Sequence, residues 1–190
     1  MELSVRAYLG LLLVVALLRV YELQISRRHQ REMIAHGASK VADPRFRWMV
    51  LVHSCVLLGA ALEVVFLHRA FYPLFAAICF GVFLAANVIR WWVIRTLGEH
   101  WNVQVMNSTG IGVITTGPYR YVRHPNYTAV FVEMLALPLI HSAWITAAVG
   151  SAAHVIVLSQ RLATEERVLS SDAHYRQAMG GKPRFIPGLF

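Results

Sequence analysis

Residues 116–127 concentrate side chains that could bind a charged ligand: they read Thr-Gly-Pro-Tyr-Arg-Tyr-Val-Arg-His-Pro-Asn-Tyr. Pro118 and Pro125 prevent this segment from forming one regular helix, and Pro125 suits the first turn of a helix that follows it. Aromatic faces, guanidinium donors and free N–H groups at a helix start could together hold a ligand that carries an anionic group. The alternative is a belt of arginine and tyrosine that meets anionic lipid headgroups.

A second group of candidates is the carboxylate pair Glu165–Glu166, which follows the last apolar run. Two carboxylates on an otherwise basic surface could hold an ammonium or sulfonium charge. The alternative is a solvated helical face on which Glu166 pairs with Arg161 or Arg167, an interaction that contributes only tenths of a kcal/mol.

Other familiar sites are absent from the sequence. Gly110-Ile111-Gly112 begins like a dinucleotide-binding loop, but Thr115 stands where the third glycine would be. The chain has no Walker loop, no zincin histidine pair and no cysteine pair at metal-ligand spacing, so we assign no metal.

Membrane helices must position these residues. The 190-residue chain is 57% hydrophobic and 15% charged, which is too apolar for a soluble domain. Its apolar runs predict a single domain, an all-α polytopic membrane bundle with about five transmembrane helices. The predicted spans are 5–25, 48–67, 71–94, 127–140 and 143–158. A helix over 161–179 continues from the fifth span, and an extended tail containing Pro183, Pro187 and Gly188 completes the C-terminal segment 161–190.

Charge predicts the orientation of the bundle. The formal net charge is +8, but most basic residues flank apolar runs, which indicates membrane topology and not nucleic-acid binding. The segments after spans one, three and five carry most of the arginines, whereas the opposite side offers Arg6 and Arg69. We therefore expect the N-terminus outside and the C-terminus in the cytoplasm, as an odd number of spans requires.

Several polar residues fall at membrane depth: Glu63, Asn87, Arg90 and Glu133. Such groups are costly to bury and often functional, so they could line a polar cavity. The alternative is structural pairing, for example of Arg90 with Glu133.

The motif Gly117-Pro118-Tyr119-Arg120-Tyr121-Val122-Arg123-His124-Pro125-Asn126-Tyr127 resembles that of the integral-membrane isoprenylcysteine carboxyl methyltransferases and their bacterial relatives. Glu165-Glu166, Leu169, Tyr175 and the closing Pro183-Arg184-Phe185-Ile186-Pro187 extend the resemblance, as do Leu97-Gly98 and Trp101 upstream. Ala129 and Gly110 depart from the family pattern, where Gly and His are frequent. The resemblance covers about the C-terminal half of the chain.

The resemblance implies S-adenosylmethionine as the cofactor, in a cytoplasmic pocket formed by the C-terminal half. It assigns these residues to cofactor binding: Tyr119, Arg123, His124, Pro125, Tyr127, Glu165 and Glu166. The glutamates would pair with the amino group of the cofactor, and arginine and helix N–H groups would receive its carboxylate. As candidate catalytic residues we take Arg123, which could orient an anionic acceptor, and Glu166, which could act as a base.

The implied reaction is methyl transfer to a lipophilic acceptor at the membrane, either to a carboxylate or to an enol or phenol hydroxyl. Glu22, Asp43-Pro44, His53 and Glu63 are similar to a bacterial subgroup associated with long-chain alkylpyrones, which points to a bacterial inner membrane. The polar cofactor would enter from the cytoplasm, and the lipid-tailed acceptor would enter between helices.

Two other functions remain open on sequence grounds. One is an NADPH-dependent membrane reductase of the steroid 5α-reductase type, whose C-terminal half is similarly helical. The other is a non-catalytic membrane protein whose basic cytoplasmic face binds anionic lipid. The reductase would bind NADPH. The non-catalytic protein would bind anionic lipid with an affinity that depends only on total charge and salt concentration.

Overall fold

The computed structural model describes residues 2–107 and 112–186. The sequence features at Gly110, Ile111, Pro187 and Gly188 therefore lie outside the described residues.

The described residues form six α-helices, and the longest connection between them, residues 98–124, joins α3 to α4. Their bounds are α1 Leu3–Ala35, α2 Phe46–Phe66, α3 Pro73–Leu97, α4 Pro125–Leu139, α5 Trp144–Leu169 and α6 Ala173–Met179. Proline occupies the first turn of α3 and α4, where its missing N–H would have no partner within the helix. This arrangement confirms the predicted membrane helix bundle.

Four of the described helices are long and apolar enough to cross a membrane: α1, α2, α3 with its 3₁₀ extension to His100, and α5. The fourth of the five predicted spans, 127–140, corresponds to α4. With 15 residues, α4 is about 22 Å long, less than the ~30 Å hydrocarbon thickness. Helix α4 is therefore the short member of the five predicted spans, and by its length alone it falls below that of a full crossing.

Two helix boundaries also differ from the prediction. Helix α1 has 33 residues, so it continues ten residues past the predicted end of the first span. The basic residues that follow this span therefore belong to the same helix. Helix α5 runs without interruption to Leu169, and a separate helix α6 follows. The break arises at Asp172, whose side chain accepts a hydrogen bond from the N–H of His174 and so begins α6.

The main apolar core lies between α1, α2, α3 and α4. Helix α4 packs against α3 and α5, while α2 packs against α5. The core comprises mostly small and aliphatic side chains: Tyr8, Leu12, Val15, Ala60, Val64, Ala76, Cys79, Phe83, Ala136, Leu137, Ile140 and Ala143. Small residues allow the helix backbones to approach closely, which is how helices associate in lipid.

A short antiparallel ribbon joins two loops beyond the helix ends. Strand β1, Ser39–Lys40, pairs with strand β2, Met106–Asn107. The N–H of Val41 extends the pairing to the carbonyl of Val105. The ribbon thus links the α1–α2 connection to the segment that leads into residues 117–127.

Candidate active site

The segment before α4 is a 3₁₀ turn, Gly117–Arg120, followed by an irregular connection into Pro125. Gly117 has a φ of +57°, a left-handed conformation that glycine adopts without strain. A Cβ atom at this position would collide with the side chain of Thr96 on α3. The turn therefore lies against α3 because residue 117 has no side chain.

The C-terminal segment holds this connection in place by main-chain hydrogen bonds. The N–H of Arg123 donates to the carbonyl of Pro183 at 2.9 Å, and that of His124 donates to the carbonyl of Arg184 at 2.9 Å. Lys182 Nζ donates to the carbonyl of Tyr119 at 2.8 Å. Two regions that are far apart in the sequence thus form one unit.

Glu166 lies at the centre of a cluster of basic side chains. Arg184 donates two hydrogen bonds to it, from Nε to Oε1 at 2.9 Å and from Nη2 to Oε2 at 2.7 Å. Arg123 Nη1 and His124 Nε2 each lie 3.3 Å from Oε1. The proposed alternative partners, Arg161 and Arg167, do not form this contact: Arg161 instead pairs with Asp43, Nε to Oδ2 at 3.0 Å.

Glu165 faces a different set of side chains. The hydroxyl of Tyr127 donates to Glu165 Oε2, and His124 Nδ1 lies 3.9 Å from Glu165 Oε1. The rings of His124 and Tyr127 stack with centroids 5.6 Å apart. The histidine therefore stands between the two glutamates that the sequence singled out.

Burial controls the protonation of the polar groups near the turn. It lowers the pKa of His124 below the usual value, although both neighbouring glutamates act in the opposite direction. Burial also raises the pKa of Tyr119, and it raises the pKa of Tyr175 to about 12. At neutral pH these groups are uncharged, so they present hydrogen-bonding and stacking surfaces.

A cavity of about 520 Å³ opens beside this cluster, a size typical of small-molecule sites. Five of the residues predicted to bind a cofactor line it: Tyr119, Arg123, His124, Tyr127 and Glu165. Pro125 and Glu166 do not. Pro125 is buried in the first turn of α4, and Glu166 faces the C-terminal segment. The cavity draws its walls from the N-terminal helices as well, and not from the C-terminal half alone.

Charged residues at membrane depth form a network along the cavity wall. Arg90 donates to Glu22 from Nε at 3.0 Å and from Nη2 at 2.7 Å. Arg19 bridges Glu22 at 2.7 Å and Glu133 at 2.9 Å. The predicted pairing of Arg90 with Glu133 is wrong, because the carboxylate of Glu22 on α1 lies closer to the guanidinium.

The contacts of Glu63 indicate a structural role. It pairs with Arg69 at 2.7 Å and accepts hydrogen bonds from the N–H groups of Ile145 and Thr146 at the start of α5. A carboxylate is stabilised at a helix N-terminus, where free N–H groups and the helix dipole meet it. Glu63 therefore connects α2 to α5 and does not line the cavity.

Several residues of the site have no individual role that could be predicted from the sequence. Arg184 and Lys182 lie in the closing motif, but their partners are more than fifteen residues away in the chain. Asp43 reaches Arg161 from the α1–α2 connection. The Asp43-Pro44 motif drew attention to this connection in the sequence. No local pattern, however, indicates that the Asp43 carboxylate pairs with Arg161.

The sequence of this chain is similar to those of known proteins. Residues 77–171 match the Isoprenylcysteine carboxyl methyltransferase (ICMT) family. The chain is 25% identical over 159 residues to the uncharacterized protein YpbQ of Bacillus subtilis (strain 168), covering 84% of this chain and 94% of that protein. It is 28% identical over 154 residues to an uncharacterized protein of Haemophilus influenzae, covering 80% of this chain and 89% of that protein.

A solved structure has a similar fold. The eukaryotic intramembrane Ras methyltransferase ICMT, solved without a monobody, superposes with a TM-score of 0.62 at 21% identity. The match covers 87% of this chain and 62% of the eukaryotic one. The chain therefore spans about three fifths of that protein's length, and at this identity the likeness concerns the fold.

Proposed function

The chain belongs to the isoprenylcysteine carboxyl methyltransferase family, and from this premise we propose that it is an S-adenosylmethionine-dependent O-methyltransferase that acts at the membrane on a lipid-tailed acceptor. One observation carries the proposal: a single cavity joins the charged cluster before α4 to an apolar region between the N-terminal helices. A polar cofactor and a lipophilic acceptor need such a cavity in order to meet.

The charged end of the cavity fits the cofactor. Glu165 offers a carboxylate to an amino group, and Arg123 offers a guanidinium to a carboxylate. The Nε of Arg123 is buried without a hydrogen-bond partner among the described residues, so a donor is free for a ligand oxygen. Tyr119 and Tyr175 add aromatic faces for a planar base.

The opposite end of the cavity fits a hydrocarbon chain. Ala16, Val20 and Leu23 of α1 line it together with Val50 and Leu57 of α2. Val20 and Val50 also have exposed surface, with 54% and 38% of each residue accessible. The cavity wall thus reaches the outer surface of two spanning helices, which supports entry of the acceptor from the lipid.

The bound cofactor would supply a methyl group on a sulfonium centre, and the chain's residues would position the acceptor for in-line attack. Walls made of membrane helices exclude water, which otherwise stabilises separated charges, and positioning contributes much of the remaining acceleration. Arg123 lines the cavity and is our candidate for orienting the acceptor oxygen. Glu166 is held by Arg184, Arg123 and His124 and lies off the cavity, so its contacts favour a positioning role over that of a base.

The orientation follows from the same proposal. S-adenosylmethionine is a polar molecule of the cytoplasm, so the end of the bundle that carries Arg123 and Glu165 would face the cytoplasm. Basic residues surround this end, in agreement with the positive-inside rule. We therefore propose an inner-membrane protein with its N-terminus outside and its C-terminus inside.

Calorimetric titration of the detergent-purified chain with S-adenosylhomocysteine tests the cofactor site. We expect saturable binding that Glu165→Gln weakens about tenfold, because a charged hydrogen-bond partner is lost. Glu32→Gln is the matched control, since Glu32 pairs with Arg28 on the surface of α1 away from the cavity. Absence of binding by folded protein would overturn the proposal, and NADPH would then be the next ligand to titrate.

Methyl incorporation from labelled S-adenosylmethionine into a membrane lipid extract tests the reaction and the role of Arg123. Arg123→Ala should weaken binding of S-adenosylhomocysteine, whose carboxylate Arg123 would hold, and should also lower turnover at saturating S-adenosylmethionine, because Arg123 would orient the acceptor. Unchanged turnover would exclude Arg123 as the residue that orients the acceptor.

A further inference from the structure

Two histidines face each other in the wall of the cavity, where α2 packs against α5. The rings of His53 and His154 meet edge to face, with centroids 5.3 Å apart, and both residues line the cavity. His154 is only 1% exposed, and neither of its ring nitrogens has a hydrogen-bond partner among the described residues. Buried polar atoms are normally hydrogen-bonded, so the two ring nitrogens of His154 point to a polar group that binds at this part of the cavity.

The hydrogen-bonding state of His53 defines what such a ligand must offer. Its Nδ1 lies 2.7 Å from the carbonyl oxygen of Met49. A carbonyl can only accept, so Nδ1 carries the hydrogen and Nε2 of the neutral ring presents a lone pair. The histidine ion pairs found in the described part of the chain involve His124 and His174, so no carboxylate holds His53 or His154 in the charged form. The site therefore accepts a hydrogen bond at His53 and offers one from His154.

The pair lies too deep to contact the amino-acid end of the cofactor. His154 precedes Glu165 on α5 by about 16 Å along the helix axis, at 1.5 Å per residue. Between them lies Arg161, which Asp43 already binds. The histidines therefore face the part of the cavity that the acceptor would occupy.

We infer that the His53–His154 pair is an acceptor-binding site that selects a lipid carrying a hydroxyl group. The hydroxyl donates its hydrogen to His53 Nε2 and accepts a hydrogen bond from the N–H of His154. A carboxylate or a plain hydrocarbon cannot donate, so either would leave the His53 lone pair unsatisfied. The inference deepens the proposed function and rests on it for the identity of the ligand as the methyl acceptor. The hydroxyl at the histidines is a recognition group of that acceptor, distinct from the oxygen that Arg123 would orient near the cofactor.

The test compares two probes that differ only at the hydroxyl, 3-pentadecylphenol and its methyl ether, titrated into the full-length protein in detergent. We expect the phenol to bind about tenfold or more tightly than the ether, since a site built around a hydroxyl rejects an analogue that lacks the donor. His53→Phe and His154→Phe should each bring the ratio of the two affinities close to one.

His141→Phe is the matched control, because His141 is also buried but does not line the cavity; its phenol-to-ether ratio should equal that of the wild type. Equal affinities of the wild-type protein for the two probes would overturn the inference and would indicate that water alone fills the site.

Titration with S-adenosylhomocysteine on the same preparations separates the two proposals. Binding of S-adenosylhomocysteine together with equal probe affinities would overturn the histidine site and leave the methyltransferase proposal in place. A phenol preference without S-adenosylhomocysteine binding would overturn the methyltransferase proposal and retain the hydroxyl site.

Discussion

Arg184, near the C-terminal end of the described chain, contacts Glu166 on α5 through two parallel hydrogen bonds of 2.9 and 2.7 Å. Arginine and carboxylate match each other in this two-point geometry, which fixes orientation as well as distance. The contact attaches the C-terminal segment to α5, while Pro183 and Arg184 receive the main-chain N–H groups of Arg123 and His124. A residue close to the C-terminal end of the chain thus shapes the predicted cofactor site.

Arg184→Gln should weaken S-adenosylhomocysteine binding roughly two- to fivefold, the range of a partly exposed ion pair. The arginine side chain is 49% exposed, so solvent screens the contact and the effect stays moderate. Arg167→Gln, a nearby exposed position on α5, is the control for loss of one positive charge. Calorimetry measures the affinity of both variants for S-adenosylhomocysteine. An equal loss of affinity in the two variants would contradict a specific role for Arg184.

Tyr127→Phe should weaken S-adenosylhomocysteine binding by about tenfold, the loss of one hydrogen bond to a charged group. The hydroxyl of Tyr127 donates to Glu165, so its removal leaves a cavity-lining carboxylate free to turn away. Tyr121→Phe provides a matched control, because Tyr121 belongs to the same motif but is 54% exposed. An unaltered dissociation constant for Tyr127→Phe would show that Glu165 needs no such support.

Glu22→Gln should lower the free energy of unfolding by about 3–5 kcal/mol, as expected when one partner is removed from a buried ion pair. The change leaves the guanidinium of Arg90 with half of its two-point contact inside the bundle. Glu32→Gln removes a carboxylate from the exposed pair with Arg28 and should have a much smaller effect, because solvent screens this pair. Denaturant unfolding in detergent measures both variants, and equal losses would exclude a special role for the buried network.

Gly117→Ala should destabilise the turn before α4 by about 1–3 kcal/mol, the cost of an unfavourable backbone conformation. Its φ of +57° suits glycine, and the added methyl group would also meet Thr96. Gly81→Ala is the control, since a Cβ atom there has no neighbour within 4 Å and alanine favours a helix. Thermal unfolding should show a lower Tm for the first variant and an unchanged or higher Tm for the second.

The stability of the protein should fall as the pH falls through the range in which unfolded histidine titrates. Burial lowers the pKa of His124 in the folded protein, so the unfolded chain takes up a proton that the folded protein resists. The contribution of His124 to the free energy of unfolding is therefore fully present above the unfolded pKa of about 6.5. It decreases below that pH, with a slope of at most about 1.4 kcal/mol per pH unit.

Unfolding curves of wild type and His124→Gln between pH 7.5 and 5 check this prediction. The variant should lose less stability on acidification than the wild type. His174→Gln, whose ring is 91% exposed, should follow the wild-type profile. Parallel profiles for wild type and His124→Gln would show that His124 makes no contribution to the acid sensitivity.

The membrane bundle and the family were accessible from the sequence because both depend on local patterns. Apolar run length predicts which segments enter the membrane, and residues 117–127 form a contiguous motif whose prolines determine the helix start. Helix ends were less predictable: α1 continues to Ala35 because nothing in its basic segment breaks a helix, although that segment leaves the apolar layer.

The sequence by itself therefore determined the class of molecule and predicts the candidate site segment with the two glutamates beside it, whereas only the tertiary structure decided which charges meet. Arg90 pairs with Glu22 and not with Glu133, and Glu166 binds Arg184 rather than its neighbours on α5. Buried charges must be paired, but the sequence offers several oppositely charged residues that could serve as the partner. Helix packing and the path of the C-terminal segment select among them, and the same packing brings His53 and His154 together across two helices.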